Sequence, residues 1–199
     1  MSARIYLEGG GDSKELHARC REGFRRLFEK CGFGGRMPRL VACGCREAAF
    51  DDFSTAHANA GEGDYVAMLV DSEEPVADVE QTWAHLKQRD DWNQPDGADD
   101  DQVLLMTTCM ETWITSDREA LRLHYGASLR ENALPDLSNM ERRARDVVQH
   151  ALVQATQTCK NRYAKGKKSF EILARLDPAV LREHLPSFVR CVRVLEDNL

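Results

Sequence analysis

Four short apolar segments separated by helix-like stretches most limit how the first half of this chain can fold. The segments lie within ARIYLEGG, RLVAC, DYVAMLVDSEEP and QVLLMTTCMETW, and apolar residues recur at helical spacing between them. Strands that alternate with helices form parallel sheets, and the helices then cover both faces of the sheet. The sequence therefore predicts an α/β fold with a mainly parallel sheet flanked by helices.

From about residue 116 onward, the sequence pattern is helical throughout. Capping patterns predict helix starts at four polar residues, Asp12, Ser116, Ser138 and Asp177. Pro186 divides the last helical region in two. We predict an α/β domain over residues 1–125 and a helical C-terminal extension with a basic segment over residues 126–199.

The composition is that of a soluble globular protein, with 30% charged and 42% hydrophobic residues. The longest apolar runs, such as YVAMLV, are far shorter than the roughly 20 residues that span a bilayer. A predicted strand follows Met1 directly, so we expect no secretory signal. These features predict a cytoplasmic protein without membrane contact, in which the scattered cysteines are reduced.

Charge is distributed unevenly along the chain, although the formal net charge is only -6. Residues 71–101 carry eleven acidic residues against Lys87 and Arg89, whereas residues 141–190 carry eleven basic residues against five acidic ones. A basic face can bind a polyanion, and an acidic face can bind a divalent cation or simply remain solvated. Charge alone leaves these alternatives open.

Three acidic residues follow predicted strands at the point where each strand ends. Glu8 follows the first strand, and Asp71 and Glu73 follow the third, where they share a face if the chain stays extended. The carboxyl ends of parallel strands meet at one edge, and neighbouring strands lie about 4.8 Å apart. If the first and third strands are adjacent, Glu8 and Asp71 can share a hard cation such as Mg²⁺. A lone acid at such a place usually only caps a helix, but three at one edge favour a metal site.

Three glycines, Gly9 to Gly11, follow Glu8 directly. They either allow a tight turn with positive φ or let the backbone approach a phosphate at the start of the next helix. The stretch lacks the Gly-Lys-Ser/Thr ending of a P-loop and the spacing of a dinucleotide-binding fingerprint.

The segment YAKGKKSFEIL is a second candidate for phosphate contact. Lys165, Lys167 and Lys168 surround a glycine there, between the aromatic residues Tyr163 and Phe170. A run of charge is usually a solvated face, whereas the glycine and the aromatic residues favour contact with phosphate.

Two motifs, LEGGGDSKEL and MLVDSEEP, resemble the TOPRIM domain of topoisomerases, primases and OLD-type nucleases. Glu8 matches the glutamate that follows the first strand of that domain, and Asp12 matches the acid of its Glu-Gly-x-x-Asp start. Asp71 matches the first residue of its Asp-x-Asp pair, and Glu73 replaces the second. With CMETWITSD and YAKGKKSFEIL, nearly the whole chain resembles a small TOPRIM-like family related to RloB-type proteins, which occur beside ATPases in prokaryotic defence loci.

This resemblance implies a TOPRIM/Rossmann-like fold and a nuclease that cleaves phosphodiester bonds in DNA or RNA with Mg²⁺ or Mn²⁺. Glu8 and Asp71 would hold the metal, and Glu73 would complete the metal-binding set. Glu111 would be an outer ligand or would orient water, and a late lysine, for which we choose Lys167, would be catalytic.

Phosphate contacts are expected from Lys165 and Lys168 and from the backbone of Gly10 and Gly11. The resemblance also implies two partners, nucleic acid and an ATPase from the same antiviral defence locus, and the chain could form a homo-oligomer. The alternative is a non-catalytic TOPRIM-like module that docks on an ATPase, which the replacement of the second aspartate by Glu73 favours.

Overall fold

The computed structural model describes residues 2–199, in which four strands form one parallel sheet. The strands are β1 (Ala3–Glu8), β2 (Arg39–Gly44), β3 (Tyr65–Asp71) and β4 (Val103–Met106). Their order across the sheet is β2-β1-β3-β4, and each neighbouring pair is parallel. The predicted α/β architecture with a parallel sheet is confirmed.

Helices flank this sheet and form the C-terminal part of the chain. They are α1 (Lys14–Phe28), α2 (Arg46–Ala58), α3 (Thr82–Asp90), α4 (Met110–Ser116), α5 (Arg118–Tyr125), α6 (Arg145–Ala155), α7 (Lys167–Leu173), α8 (Pro178–His184) and α9 (Pro186–Asn198). A π-helical turn, Glu29–Phe33, follows α1, and several short 3-10 turns join the later helices. None of the helices in residues 2–199 combines the length and the apolar composition needed to cross a bilayer.

Alternate residues of each strand pack on opposite faces of the sheet, as the pleat of a strand requires. One face carries residues such as Ile5 and Leu69 and packs against α1 and the C-terminal helices. The other face carries residues such as Val66 and Met68 and packs against α2 and α3. Because β3 is buried on both faces, its sequence is apolar without interruption until Asp71.

The direction in which the chain winds through the sheet reverses between β1 and β3. From β1 the chain passes through α1 to β2, and from β2 it returns through α2 to β3 on the other side of β1. Ligands of open α/β sheets bind in the crevice at such a reversal, outside the carboxyl ends of the strands. Glu8 and Asp71 end the two strands that flank this crevice.

The C-terminal helices share one hydrophobic core with the sheet. The cluster that contains Ile5 also contains Trp113 of α4, Leu152 of α6 and Phe188 of α9. The rings of Trp113 and Phe188 meet edge to face, with centroids 5.0 Å apart. The core therefore continues across the predicted boundary near residue 126, and the division into two domains stays a prediction.

Two helices begin one residue later than their capping patterns predict. Ser13, not Asp12, caps α1, because its hydroxyl accepts a hydrogen bond from a free N–H of the first turn at 3.1 Å. Asp117, not Ser116, caps α5 in the same way at 2.9 Å. In each case the residue that follows the predicted cap has a side-chain oxygen that accepts a hydrogen bond from an N–H group in the first turn of the helix.

The remaining predicted boundaries gave mixed results. Asp177 caps α8 and Pro186 begins α9, as predicted. The predicted helix start at Ser138 is wrong, since only the short 3-10 turn Met140–Arg142 follows it. The fourth strand ends at Met106, and the last four residues of its predicted range belong to α4.

Glu141 gives the fold a pH-dependent contact between the 3-10 turn that contains it and the start of α9. Its carboxylate is buried and accepts hydrogen bonds from the N–H and the hydroxyl of Ser187. Burial raises the pKa of Glu141 from its ordinary value of 4.5 to about 7, against the lowering effect of the Ser187 bonds. The folded state therefore holds this proton more tightly than the unfolded state does.

The free energy of unfolding of the wild type should fall relative to that of Glu141→Gln as the pH rises from about 5 to about 8. The side-chain oxygen of glutamine still accepts a hydrogen bond from Ser187. Glutamine never ionises, so the variant does not lose stability through ionisation of a buried carboxyl group. One pKa unit corresponds to about 1.4 kcal/mol, so the relative change should reach about 2 to 3 kcal/mol. Urea denaturation of both proteins at pH 5 and pH 8 measures this change. If the wild type and the variant differed in unfolding free energy by the same amount at the two pH values, the raised pKa of Glu141 would be contradicted.

Candidate functional site

Glu8 and Asp71 lie side by side at the carboxyl ends of the two central strands. β1 and β3 pair in parallel register up to Leu7 and Leu69, so Glu8 follows directly on the paired residues. The N–H of Asp71 donates a hydrogen bond of 2.9 Å to Oε2 of Glu8. The adjacency on which the sequence-based metal site depends is therefore present.

Glu73 reaches the same place by a turn and not by an extended chain. β3 ends at Asp71, and Glu73 has a φ of 67°, a left-handed conformation that non-glycine residues seldom adopt. Its N–H donates to the carbonyl of Thr108 at 2.8 Å, which holds the turn against the chain that follows β4. The sequence made this proximity conditional on an extended chain; Glu73 does lie close to Asp71, but through a turn.

Asp71 is the most deeply buried carboxylate of this group, with 6% of the residue exposed. Its Oδ1 accepts a hydrogen bond of 2.8 Å from the N–H of Met110 at the start of α4. Burial, and then the charges of Glu8 and Glu111, raise the pKa of Asp71 well above its ordinary value. Burial also raises the pKa of Glu8, against the lowering effect of the Asp71 N–H.

Three arginines surround these carboxylates, and the sequence analysis did not identify any of them. Arg145, the first residue of α6, forms an ion pair with Glu73 and lies 3.8 Å from Oδ2 of Asp71. Arg89 of α3 lies 3.7 Å from Glu73, and Arg46 of α2 donates to the carbonyl of Asp71 at 2.9 Å. No local motif marks these residues, because each arrives from a different helix.

Glu111 lies beside this group in the first turn of α4, almost fully buried. The hydroxyl of Tyr163 donates to its Oε1 at 2.7 Å, and the amide of Gln149 donates to its Oε2 at 3.2 Å. The ammonium group of Lys165 is 3.8 Å from Oε1. Burial, and then the charge of Glu111, raise the pKa of Tyr163 well above its ordinary value, so the phenol stays protonated and donates to Glu111.

The glycine turn after β1 is held closely against its neighbours. Gly10 has a φ of 93°, and a Cβ there would lie 3.0 Å from the Cα of His17. The carbonyl of Gly11 is 2.6 Å from the His17 ring, and a Cβ on Gly44 would lie 2.7 Å from the same carbonyl oxygen. Within residues 2–199, the N–H groups of Gly10 and Gly11 donate to no acceptor. The turn therefore requires glycine for its shape and leaves two amide groups free.

Several of these residues line one cavity of about 330 Å³, and Glu73 is not among its lining residues. Its walls include Glu8, Gly9, Gly10, Gly11, Asp71, Glu111, Arg145, Lys165 and Phe170. Of the three lysines of the basic segment, Lys165 is the one in this wall. Lys167 lines a separate groove between α1 and α7, and the ammonium group of Lys168 donates to the carbonyl of Arg162 at 2.9 Å.

The three carboxylates of Glu8, Asp71 and Glu73 could hold a metal ion. One oxygen from each lies within 4.8 Å of the other two. Carboxylate oxygens are the ligands that hard divalent cations prefer, and a cation would offset the cost of charging the buried Asp71 beside Glu8. Both the donor atoms and their burial fit a hard divalent cation. This group is named the acidic cluster below.

A model of one protein family, described as domain of unknown function (DUF4276), matches residues 7–196 of the chain. The match includes the acidic cluster, the cavity and most of the C-terminal helices. No curated protein and no solved structure matches the chain.

Asp71→Asn should raise the melting temperature of the metal-free protein, because asparagine avoids the cost of ionising a buried carboxyl group beside other carboxylates. The asparagine oxygen can still accept the bond from Met110. A gain of 1 kcal/mol corresponds to roughly 3 °C for a chain of this size. The same change should abolish the stabilisation that millimolar Mg²⁺ or Mn²⁺ gives the wild type.

Thermal denaturation with and without each metal measures both effects, and Asp51→Asn, at an exposed position of α2, is the matched control. The assignment of the acidic cluster as a metal site would be contradicted if the metals failed to stabilise the wild type, or stabilised Asp71→Asn equally well.

Proposed function

This chain belongs to the DUF4276 family, and we propose that it is a TOPRIM-type nuclease that depends on Mg²⁺ or Mn²⁺. The observation that carries the proposal is the position of the acidic cluster. Glu8 and Asp71 end adjacent central strands at the crevice where the winding of the sheet reverses, and Glu73 lies within 4.8 Å of both. The resemblance of the motifs around these three residues to the TOPRIM domain supplies the chemistry, which is phosphodiester cleavage.

In this proposal Glu8, Asp71 and Glu73 bind the metal, which supplies charge stabilisation and an activated water when bound. The protein contributes the position of the three carboxylates. The Asp71 N–H fixes Glu8, the Met110 N–H fixes Asp71, and the turn after β3 places Glu73. These bonds hold the oxygens close together before any cation arrives.

Glu111 orients the attacking water, and its own position is fixed by Tyr163 and Gln149. Lys165 lies in the same wall of the cavity, where its charge stabilises the negative phosphate in the transition state. The free N–H groups of Gly10 and Gly11 bind phosphate oxygens. The position of Lys165 favours it over Lys167, our choice from sequence, as the lysine at the reacting group.

The biological setting is proposed on the resemblance alone. RloB-type proteins occur beside ATPases in prokaryotic defence loci, so we propose a cytoplasmic antiviral effector with an ATPase partner and a nucleic-acid substrate. Lys167 and Lys168 lie outside the cavity, where they can contact phosphates further along a bound strand.

One observation favours the alternative, a non-catalytic TOPRIM-like module that docks on an ATPase. Glu73 is already paired with Arg145 and lies close to Arg89. These arginines therefore balance the charge of Glu73 without a metal. Glu73 is the residue that stands in place of the second aspartate of the TOPRIM pair. The two functions differ in what they require of Glu8, because a docking module has no need of a ligand at this position.

Glu8→Gln should reduce cleavage of nucleic acid by on the order of 100-fold or more, because it removes a charged ligand at the reacting centre. The glutamine oxygen can still accept the bond from the Asp71 N–H, so the fold should persist. The assay offers single-stranded DNA, duplex DNA and RNA to the protein with Mn²⁺.

The matched control is Glu62→Gln, which makes the same change at an exposed residue before the amino end of β3. It should cleave like the wild type. Equal cleavage by Glu8→Gln would exclude a role for Glu8. A wild type that binds an ATPase partner but cleaves none of the substrates would favour the docking module.

A further inference from the structure

Arg145 differs from the other two arginines beside the acidic cluster in how firmly it is held. Arg46 forms an ion pair of 2.7 Å with Asp90, and its guanidinium lies 4.3 Å from the centre of the Trp92 ring. Arg89 is also paired with Asp90. Arg46 and Arg89 therefore have an anchor outside the cluster.

Arg145 has no acidic partner outside the cluster within the part of the chain that the structure describes. Its ion pairs are with Glu73 and Asp71, and its buried Nε makes no hydrogen bond. The side chain is 30% exposed and forms part of the cavity wall. Within residues 2–199, the ion pairs of the guanidinium are therefore all with the cluster.

A divalent cation and Arg145 require the same carboxylate oxygens. The guanidinium balances the charge of Glu73 and Asp71, which are two of the three residues that would bind the cation. Two positive groups a few ångströms apart repel each other strongly in a partly buried site. Binding of the cation therefore weakens the hold of the cluster on Arg145.

The released side chain has a second partner available in the same cavity. Gly10, Gly11 and Lys165 line the same cavity, and the N–H groups of the two glycines are free. A phosphodiester in this space would present oxygens that match the planar fork of an arginine. The backbone of α6 need not move, because Val148, Leu152 and Ala155 anchor the helix in the core.

We propose that Arg145 exchanges partners as the site is loaded: it pairs with Asp71 and Glu73 without metal, and it binds the substrate phosphate once a divalent cation occupies the cluster. This inference rests on the proposed function, because it names the group that couples metal binding to substrate binding at that site. Metal-free protein then has neither a metal centre nor a free arginine for phosphate, so the substrate binds the loaded site more tightly than the metal-free site.

The first test measures Mn²⁺ binding by isothermal titration calorimetry without nucleic acid. Arg145→Gln should bind Mn²⁺ about tenfold more tightly than the wild type, since it removes a competing positive charge near the ligands. Arg145→Lys keeps the charge and should stay close to the wild type. Arg143→Gln is the matched control, because Arg143 pairs with Asp136 outside the cluster. Melting curves without metal show that each variant is folded.

The second test measures binding of a labelled single-stranded oligothymidylate by fluorescence anisotropy directly after mixing, with Mn²⁺ or with EDTA. With Mn²⁺, Arg145→Gln should bind about tenfold more weakly than the wild type, as expected for the loss of a hydrogen bond to a charged group. With EDTA, the two proteins should bind equally, because the arginine is then held by the carboxylates.

The results separate this inference from the proposed function. Unchanged or weaker Mn²⁺ binding by Arg145→Gln would overturn the competition, and equal oligonucleotide binding with Mn²⁺ would overturn the exchange to phosphate. A wild type that binds no Mn²⁺ would overturn both the metal site and the exchange. If the wild type binds Mn²⁺ and shows both effects of Arg145→Gln but cleaves no substrate, the exchange stands and the nuclease proposal fails.

Discussion

The candidate site depends on the parallel pairing of β1 with β3. This pairing places the ends of two central strands next to each other, so that Glu8 accepts a hydrogen bond from the backbone of Asp71. The reversal of winding between these strands opens a crevice above their carboxyl ends. The glycine turn after β1 and the start of α4 then close two sides of it. A change of register between β1 and β3 would separate the carboxylates and remove the site.

The charges of the site are organised around the cost of burying Asp71. Asp71 is almost fully buried and lies close to Glu8 and Glu111. Burial and these two charges oppose its ionisation and raise its pKa. Arg145 of α6 offsets part of this cost, and a divalent cation would offset more. Unlike Arg46 and Arg89, Arg145 forms its ion pairs only with residues of the acidic cluster, within the described part of the chain. In our account, Arg145 balances the carboxylates of the metal-free protein and then turns to a phosphate once a cation is bound.

The amino-acid sequence was sufficient to predict a parallel sheet with Glu8 and Asp71 at the same edge, because the carboxyl ends of parallel strands meet there. That β1 and β3 are neighbours, on which the contact between Glu8 and Asp71 depends, was only a condition at that point and is seen in the structure. The sequence was not sufficient for features that depend on tertiary contacts. The turn that brings Glu73 back, the helix that carries Glu111, and the approach of Arg145 from α6 involve partners far away in the chain. For the same reason three lysines in one segment looked equivalent in the sequence, although Lys165 is the one that lines the cavity.

The central claim is that Glu8 and Asp71 jointly hold a divalent cation, and anomalous scattering from a crystal grown with Mn²⁺ tests it most directly. The account predicts a strong anomalous peak in direct contact with carboxylate oxygens of both residues, at about the 2.1 Å separation typical of small hard cations. It also predicts that the guanidinium of Arg145 has moved away from Asp71. A map without a peak at the acidic cluster at saturating Mn²⁺, with Arg145 still paired to Asp71 and Glu73, would contradict the account.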